Sequence, residues 1–417
     1  MKHPKPVDFL VIVILWSVMF VSSTQFFLIT PILPQIERQF CVPAPWLGTI
    51  VAVYSVSLGL SALLAGFWSD KLGRRNILMF GSSLMSLSLL LHGLAFNFGS
   101  LLIVRLLAGV AGGVLTGSCI SYVRDYFPYE RRGRINGAVI TAGAVGQILG
   151  LPLGILLAEE FGVASPFVFL GVLMAVAFFL IHRWLPFVFG NRADKKEPLG
   201  MGFWKVYRQL LRQTSYQRAC LAYMLMYFSF TVYMVYFPKW LAVTKSATSS
   251  DLAFLFLVGG SATLVAGPLA GWLADRVGRT PVTIATNLAA SGAMGMSLFF
   301  RLDIVSASFV FFAVMLFMSG RSVSFQSMIS DATCDRNRGK TMNLLISVGQ
   351  LGMAGGSVLA GFIFSRLGFE INTIVAGFTS LLMILLVGKS FSFVIPTKEV
   401  EPLQGSKRPF QEVLEKV

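Results

Sequence analysis

Apolar runs of about 20 residues follow one another along the chain, separated by short polar turns. A bilayer core about 30 Å thick is crossed by about 20 apolar residues in a helix. A helix also satisfies its own backbone hydrogen bonds where no water can. The pattern predicts twelve spans, at about 8–30, 46–69, 76–96, 99–124, 135–158, 165–187, 217–241, 250–274, 281–300, 303–330, 341–366 and 371–396. Lys2 and Lys5 precede the first run as they would a signal peptide. The run is too long for one and lacks a small-residue cleavage site, so it reads as a retained helix.

Composition supports the same class. Of 417 residues, 55% are hydrophobic and 13% charged, whereas a soluble domain carries roughly 25% charged residues. So much apolar surface needs lipid around it. The net charge of +15 raises nucleic acid as a partner, but its distribution argues against one. Of the Lys and Arg residues, Arg38, Lys239, Lys245, Arg301 and Arg366 fall at odd-numbered turns, and Arg105 and Arg321 fall inside spans. All the others lie at even-numbered turns and in the tails. Such asymmetry predicts that the even turns and both termini are cytoplasmic.

Cys41, Cys119, Cys220 and Cys334 are scattered without a CxxC spacing, and His3, His92 and His182 are far apart. These patterns predict neither a disulfide nor a metal site. No GxSxG or HExxH occurs; nothing points to an enzyme or to a cofactor.

The chain divides into halves. Gly66, Asp70 and Gly73 in "GFWSDKLGRRN" correspond to Gly271, Asp275 and Gly278 in "GWLADRVGRT", about 205 residues later. Pro34 and Pro238, Asp125 and Asp331, and Gly133 and Gly339 repeat at nearly the same offset. The predicted units are residues 1–187, a linker 188–216, and residues 217–417. In the linker, Trp204, Leu210 and Leu211 stand beside Lys205, Arg208 and Arg212. It is either an amphipathic helix on the membrane surface or a solvated connection. Two six-helix repeats predict a substrate site near the midplane between them.

These motifs resemble those of major facilitator superfamily transporters. Gly66, Asp70, Lys71, Gly73, Arg74 and Arg75 fill the family's loop motif between the second and third helices. Asp275, Arg276, Gly278 and Arg279 carry much of it in the second half. The resemblance implies an all-α integral membrane fold of twelve transmembrane helices in two pseudo-symmetric six-helix bundles. It also implies that this cluster gates the cytoplasmic side. Arg74 and Arg75 are expected to face anionic headgroups, and Gly66 and Gly73 to permit close helix approach.

Other residues bear on substrate and coupling. Arg105, followed by Gly109, Gly112 and Gly113, resembles the helix 4 motif. A charge in the bilayer costs about 2.5–3.5 kcal/mol on insertion scales. Arg105 therefore either meets polar groups, water or an anion, or snorkels to the outer surface. Gly143, Gly146, Gly150, Pro152 and Gly154 resemble the helix 5 motif of family antiporters, with Leu151 where Gly usually precedes Pro. Pro31 and Pro34 resemble the twelve-helix drug:proton antiporter class, yet Gln25 stands where relatives carry an acid. Asp70 and Asp125 are then the remaining proton candidates.

The family lines its cavity with helices 1, 4, 7 and 10. The candidate substrate residues are accordingly Gln25, Arg105, Tyr223, Tyr227, Ser229, Arg321 and Gln326. Arg321 lies ten residues before Asp331, about 15 Å along a helix. It reads either as an anion contact or as an arginine satisfied by Ser, Gln and backbone carbonyls. The Tyr223, Tyr227 and Phe230 stripe reads as packing or as binding surface.

The expected function is a secondary active transporter, working by alternating access as a monomer in a bacterial inner membrane. It exports a small amphipathic or anionic organic solute against a proton or another coupling ion. Import or facilitation of an organic anion, and a transporter-like sensor without flux, are the rivals.

Overall fold

The computed structural model describes residues 6–188, 201–299, 303–333 and 335–387, with backbone but not side chains at residues 6, 66, 67, 70, 71, 201–206, 299, 332 and 335–338. The described residues are almost entirely helical. The N-terminal half holds α1 (Pro6–Leu28), α2 (Leu33–Phe40), α3 (Ala44–Leu72), α4 (Arg74–Leu91), α5 (Phe98–Tyr126), α6 (Tyr129–Val145), α7 (Leu151–Phe161) and α8 (Ser165–Trp184). The other half holds α10 (Thr214–Met234), α11 (Phe237–Thr244), α12 (Ser249–Val277), α13 (Arg279–Phe299), α14 (Ile304–Ala332), α15 (Asp335–Leu367) and α16 (Phe369–Val387). Between them lies α9 (Met201–Arg212).

Among the described residues, eleven stretches are long and apolar enough to cross a membrane. The predicted ninth span, α13, has 21 residues but is not among them. Its polar positions turn inward: Thr283 and Asn287 are buried and hydrogen-bonded inside the bundle. The first and seventh spans break near their ends and continue as α2 and α11, each with a proline in its first turn. There the missing N–H costs nothing. The fifth span is α6 and α7 joined by a π turn at Gly146–Gly150.

Turns after successive spans fall alternately on two faces. The basic face carries Asp8, Arg74, Asp125 and Pro186, joined by the bonds Arg74–Asp125, Tyr126–Asp8 and Tyr122–Pro186. The opposite face carries Glu37, Trp46, Lys239 and Phe362.

Within the N-terminal half, α5 packs along α3 and α4, α1 along α6, and α8 along α4 and α1. In the other half, α10 packs along α15 and α16, α14 along α12 and α13, and α13 along α16. The halves meet along two seams, α3 against α15 and α7 with its π turn against α12. Glycines bring the backbones together there. A Cβ at Gly48 would lie 2.0 Å from the Ser357 carbonyl oxygen, and one at Gly361 2.4 Å from that of Pro45.

The linker helix α9 packs one side onto the second half. Tyr207 and Leu210 are buried in a cluster with Tyr216, Leu344 and Leu345, while Arg208 and Arg212 are exposed. Trp204 and Lys205 lie outside the described side chains.

Candidate functional site: the passage between the bundles

The loop motif builds an interlocked corner on the basic face. Arg74 is 3% exposed and donates from Nε to Asp125 Oδ2 at 2.7 Å and from Nη1 to Ser69 Oγ at 2.8 Å. Its backbone N–H donates to the Val188 carbonyl. Arg75 donates to the His182 carbonyl and lies 4.0 Å over the Phe187 ring. The expectation that these arginines face headgroups is therefore corrected. A guanidinium offered a carboxylate and carbonyls at fixed geometry is better satisfied there than in water.

The second copy forms the matching pair, Arg279 with Asp331, and Arg276 lies 4.2 Å over Trp272. Asp275 is exposed. Gly73 and Gly278 have φ of 87° and 101°, a region open essentially to glycine alone. Turn geometry alone requires glycine at these two positions. The surroundings of Gly66 and the Asp70 side chain lie outside the described residues, and a Cβ at Gly271 would meet nothing within 4 Å.

Helix 5 packs its glycines closely on α1. A Cβ would lie 2.6 Å from Thr24 Oγ1 at Gly146, 2.5 Å from Thr24 Cγ2 at Gly150 and 2.5 Å from Leu28 at Gly154. Side chains there would drive α1 away. Pro152 offers no N–H and crowds the carbonyl four residues earlier, and the helix responds with the wide turn at Gly146–Gly150. The Leu151 N–H then reaches the Gly146 carbonyl.

Sequence reasoning missed the counterpart on α15. Gly349 faces the Tyr223 and Tyr227 rings, Gly352 the Met224 carbonyl, and Gly356 the Phe228 carbonyl. These glycines follow Gly143, Gly146 and Gly150 at the repeat offset, a signal present in the sequence.

At the opposite face the passage is closed. Lys239 Nζ lies 2.7 Å from Glu37 Oε1. Tyr236 donates to the Ala44 carbonyl at 2.8 Å and accepts from the Gly48 N–H at 3.1 Å. Gln35 donates to Ser249 at 3.2 Å. Beneath this closure is a small apolar hollow, a cavity of about 20 Å³, lined by Phe26, Phe27, Val51, Phe230, Met234 and Phe256 among others. Near mid-depth, Thr263 spans the second seam, 3.5 Å from Gln147 and 3.2 Å from Ser319.

The predicted substrate residues separate into three groups. The Tyr223 and Tyr227 rings lie 5.0 Å apart, tilted at 46°, with Gln326 within reach of the Tyr223 hydroxyl; Gln326 is exposed. Arg105, fully buried, donates to Gln25 Oε1 at 3.2 Å and lies 4.7 Å over the Tyr54 ring. It does not snorkel. Arg321 and Ser229 point into the C-terminal bundle. Arg321, 1% exposed, donates to Asn287 Oδ1 and Ser380 Oγ at 2.7 Å and to the Met226 carbonyl at 2.8 Å. Ser229 donates to the Ala376 carbonyl at 2.7 Å. Of the two readings of Arg321, the geometry favours the arginine satisfied by polar groups: neutral oxygens on three helices take donors from both Nη groups, while Nε has no partner.

No group of three or more His, Cys, Asp and Glu able to hold a metal occurs among the described residues. Comparison with known proteins agrees with the geometry. The model of the Major Facilitator Superfamily matches residues 15–214 and 219–416. The chain belongs to the major facilitator superfamily. It is a multi-pass membrane transporter and not an enzyme.

Among this transporter's relatives is the uncharacterized MFS-type transporter YceJ of Bacillus subtilis, 27% identical over 89% of this chain and 93% of the relative. The class D tetracycline resistance protein of Salmonella ordonez is 26% identical over 81% and 86%. The multidrug resistance protein MdtG of Proteus mirabilis is 27% identical over 71% and 73%. Two solved structures share the fold. A D-xylose–proton symporter superposes with a TM-score of 0.74 at 17% identity, covering 94% of this chain and 98% of that one. The human organic anion transporter MFSD10 (TETRAN) does so with 0.69 at 18% identity, covering 92% and 100%.

Proposed function

We propose that this transporter exports a small amphipathic organic solute, including solutes with an anionic group, by alternating access coupled to protons. The observation that carries the reading is helix 5. Its glycine face and π turn pack at once on α1 and, through Gln147 and Ile148, on Gly260 of α12. This is the element through which movement at a seam reaches the helix beside the hollow. The hollow's aromatic and methionine lining suits an apolar body, and relatives named for multidrug and tetracycline resistance support export.

In this reading residues 1–187 and 217–417 are the two rocking units, 188–216 is their link, and a monomer suffices. The basic face and both termini lie in the cytoplasm of a bacterial inner membrane. Tyr223, Tyr227 and Gln326 border the solute path. The Arg74–Asp125 corner belongs to the cytoplasmic gate with Asp70. Inverted vesicles with an imposed proton gradient test this, with tetracycline and carboxyfluorescein as probes. Accumulation that collapses with the gradient supports proton-coupled export; equal movement without a gradient overturns coupling.

One observation favours the rival, facilitated movement of an organic anion. The aspartates and glutamates with described side chains lie at or near helix ends, and Arg105 meets Gln25 rather than a carboxylate. Gradient-independent flux of carboxyfluorescein alone is the outcome that reading requires.

A further inference from the structure

Two arginines are buried in the membrane-spanning part of the chain, and their surroundings differ. Arg321 gives three hydrogen bonds to neutral oxygens from its two Nη groups, leaving Nε alone without a partner. Arg105 gives one, from Nη1 to Gln25, and its Nε and Nη2 have no partner. Gln25 is itself held, donating from Nε2 to the Tyr54 hydroxyl at 2.7 Å and to the Ser22 carbonyl at 3.2 Å. None of the ion pairs among the described residues includes Arg105.

The Tyr54 ring at 4.7 Å and the Phe167 ring at 5.8 Å offer their faces to the cation. Such contacts contribute about 0.5–2 kcal/mol, well short of the several kcal/mol needed to desolvate an ion. The two unshared donors are the side-by-side pair of the guanidinium, the fork that grips a carboxylate through both oxygens. A route is at hand, since Tyr54 packs at 5.4 Å on Phe26 and Phe26 lines the hollow between the bundles.

We propose that Arg105 binds a compact monovalent anion through Nε and Nη2, behind the Tyr54–Phe26 ring pair. The same chemistry serves the carboxylate of a transported solute and a free halide. The inference rests on the transport reading only for its route; binding is a property of the N-terminal bundle and is measured without flux.

The test is thermal melting of the purified full-length protein in neutral-lipid nanodiscs. Chloride and benzoate are each titrated against sulfate at constant ionic strength. A saturable rise in melting temperature is expected in the wild type, and none in Arg105→Gln. Gln25→Glu places a carboxylate of the chain itself beside Arg105. It is expected to fold and to weaken the anion response at least about tenfold, the value of one charge-assisted hydrogen bond. A chloride response that benzoate does not compete with assigns a halide; competition assigns the carboxylate of a solute. The proposal is overturned if neither anion stabilises the wild type saturably, or if both variants respond as the wild type does. A protein that binds these anions yet moves no probe in vesicles overturns the transport reading alone.

Discussion

Arg74 Nε sits 2.7 Å from Asp125 Oδ2, and Arg279 meets Asp331 at the corresponding place in the second half. The first pair is the more enclosed, with Asp125 10% exposed against 61% for Asp331. Removing one member of an enclosed pair strands the other charge. Asp125→Asn is expected to destabilise by about 2–4 kcal/mol and Asp331→Asn by about 0–1 kcal/mol. Melting of both variants in detergent checks this; equal losses would mean that burial does not separate the two corners.

Gly150 leaves no room for a side chain against Thr24. Gly150→Leu should cost at least about 1–3 kcal/mol through overpacking and reduce flux sharply. Gly267, whose Cβ would meet nothing within 4 Å, is the matched control. Normal flux in Gly150→Leu would show that α1 and helix 5 are not tightly held in the working protein.

The Lys239–Glu37 pair joins the bundles at the opposite face. Glu37→Gln should loosen that closure, so that a cysteine replacing Val51 in the hollow reacts severalfold faster with a membrane-impermeant maleimide. Unchanged labelling would leave the Tyr236 bonds as the sufficient closure.

Arg321 fastens α14 to α10, α13 and α16. Arg321→Gln should lower the melting temperature, at about 1 kcal/mol or more for each buried partner left unsatisfied, without changing the affinity for a transported probe. A variant that melts normally but loses probe binding would return Arg321 to the solute path.

Much of the architecture was legible because bilayer thickness writes itself into run length, and because the repeat offset relates residues that share a structural role. The boundaries drifted where helices run past the apolar zone, as α3 does to Leu72 and α15 does from Asp335. The candidate site was legible only in part. Sequence placed Arg321 and Ser229 on a cavity-lining helix, but a helix has several faces, and their partners Asn287, Ser380 and Ala376 lie on other helices. Tyr54, which receives both Gln25 and the face of Arg105, carries no local motif that would single it out. The headgroup role expected of Arg74 failed for a similar reason: its carboxylate lies on a helix 51 residues away in sequence.

A repeat of four residues cannot stay in phase with a helix of 3.6 residues per turn; each step overshoots by about 40°. Gly146, Gly150 and Gly154 nonetheless present themselves to the same neighbouring helix, because the five-residue π turn supplies a compensating lag between them. Phase along this helix is thus set by a count of residues rather than by their identity. Loss of one residue from the regular helix beside Gly146–Gly150, where no wide turn can absorb it, would shorten the helix by about 1.5 Å and rotate everything beyond it by about 100°, turning the glycine face away from α1. Among all single-residue changes on this helix, deletion is the one that no choice of side chain could repair.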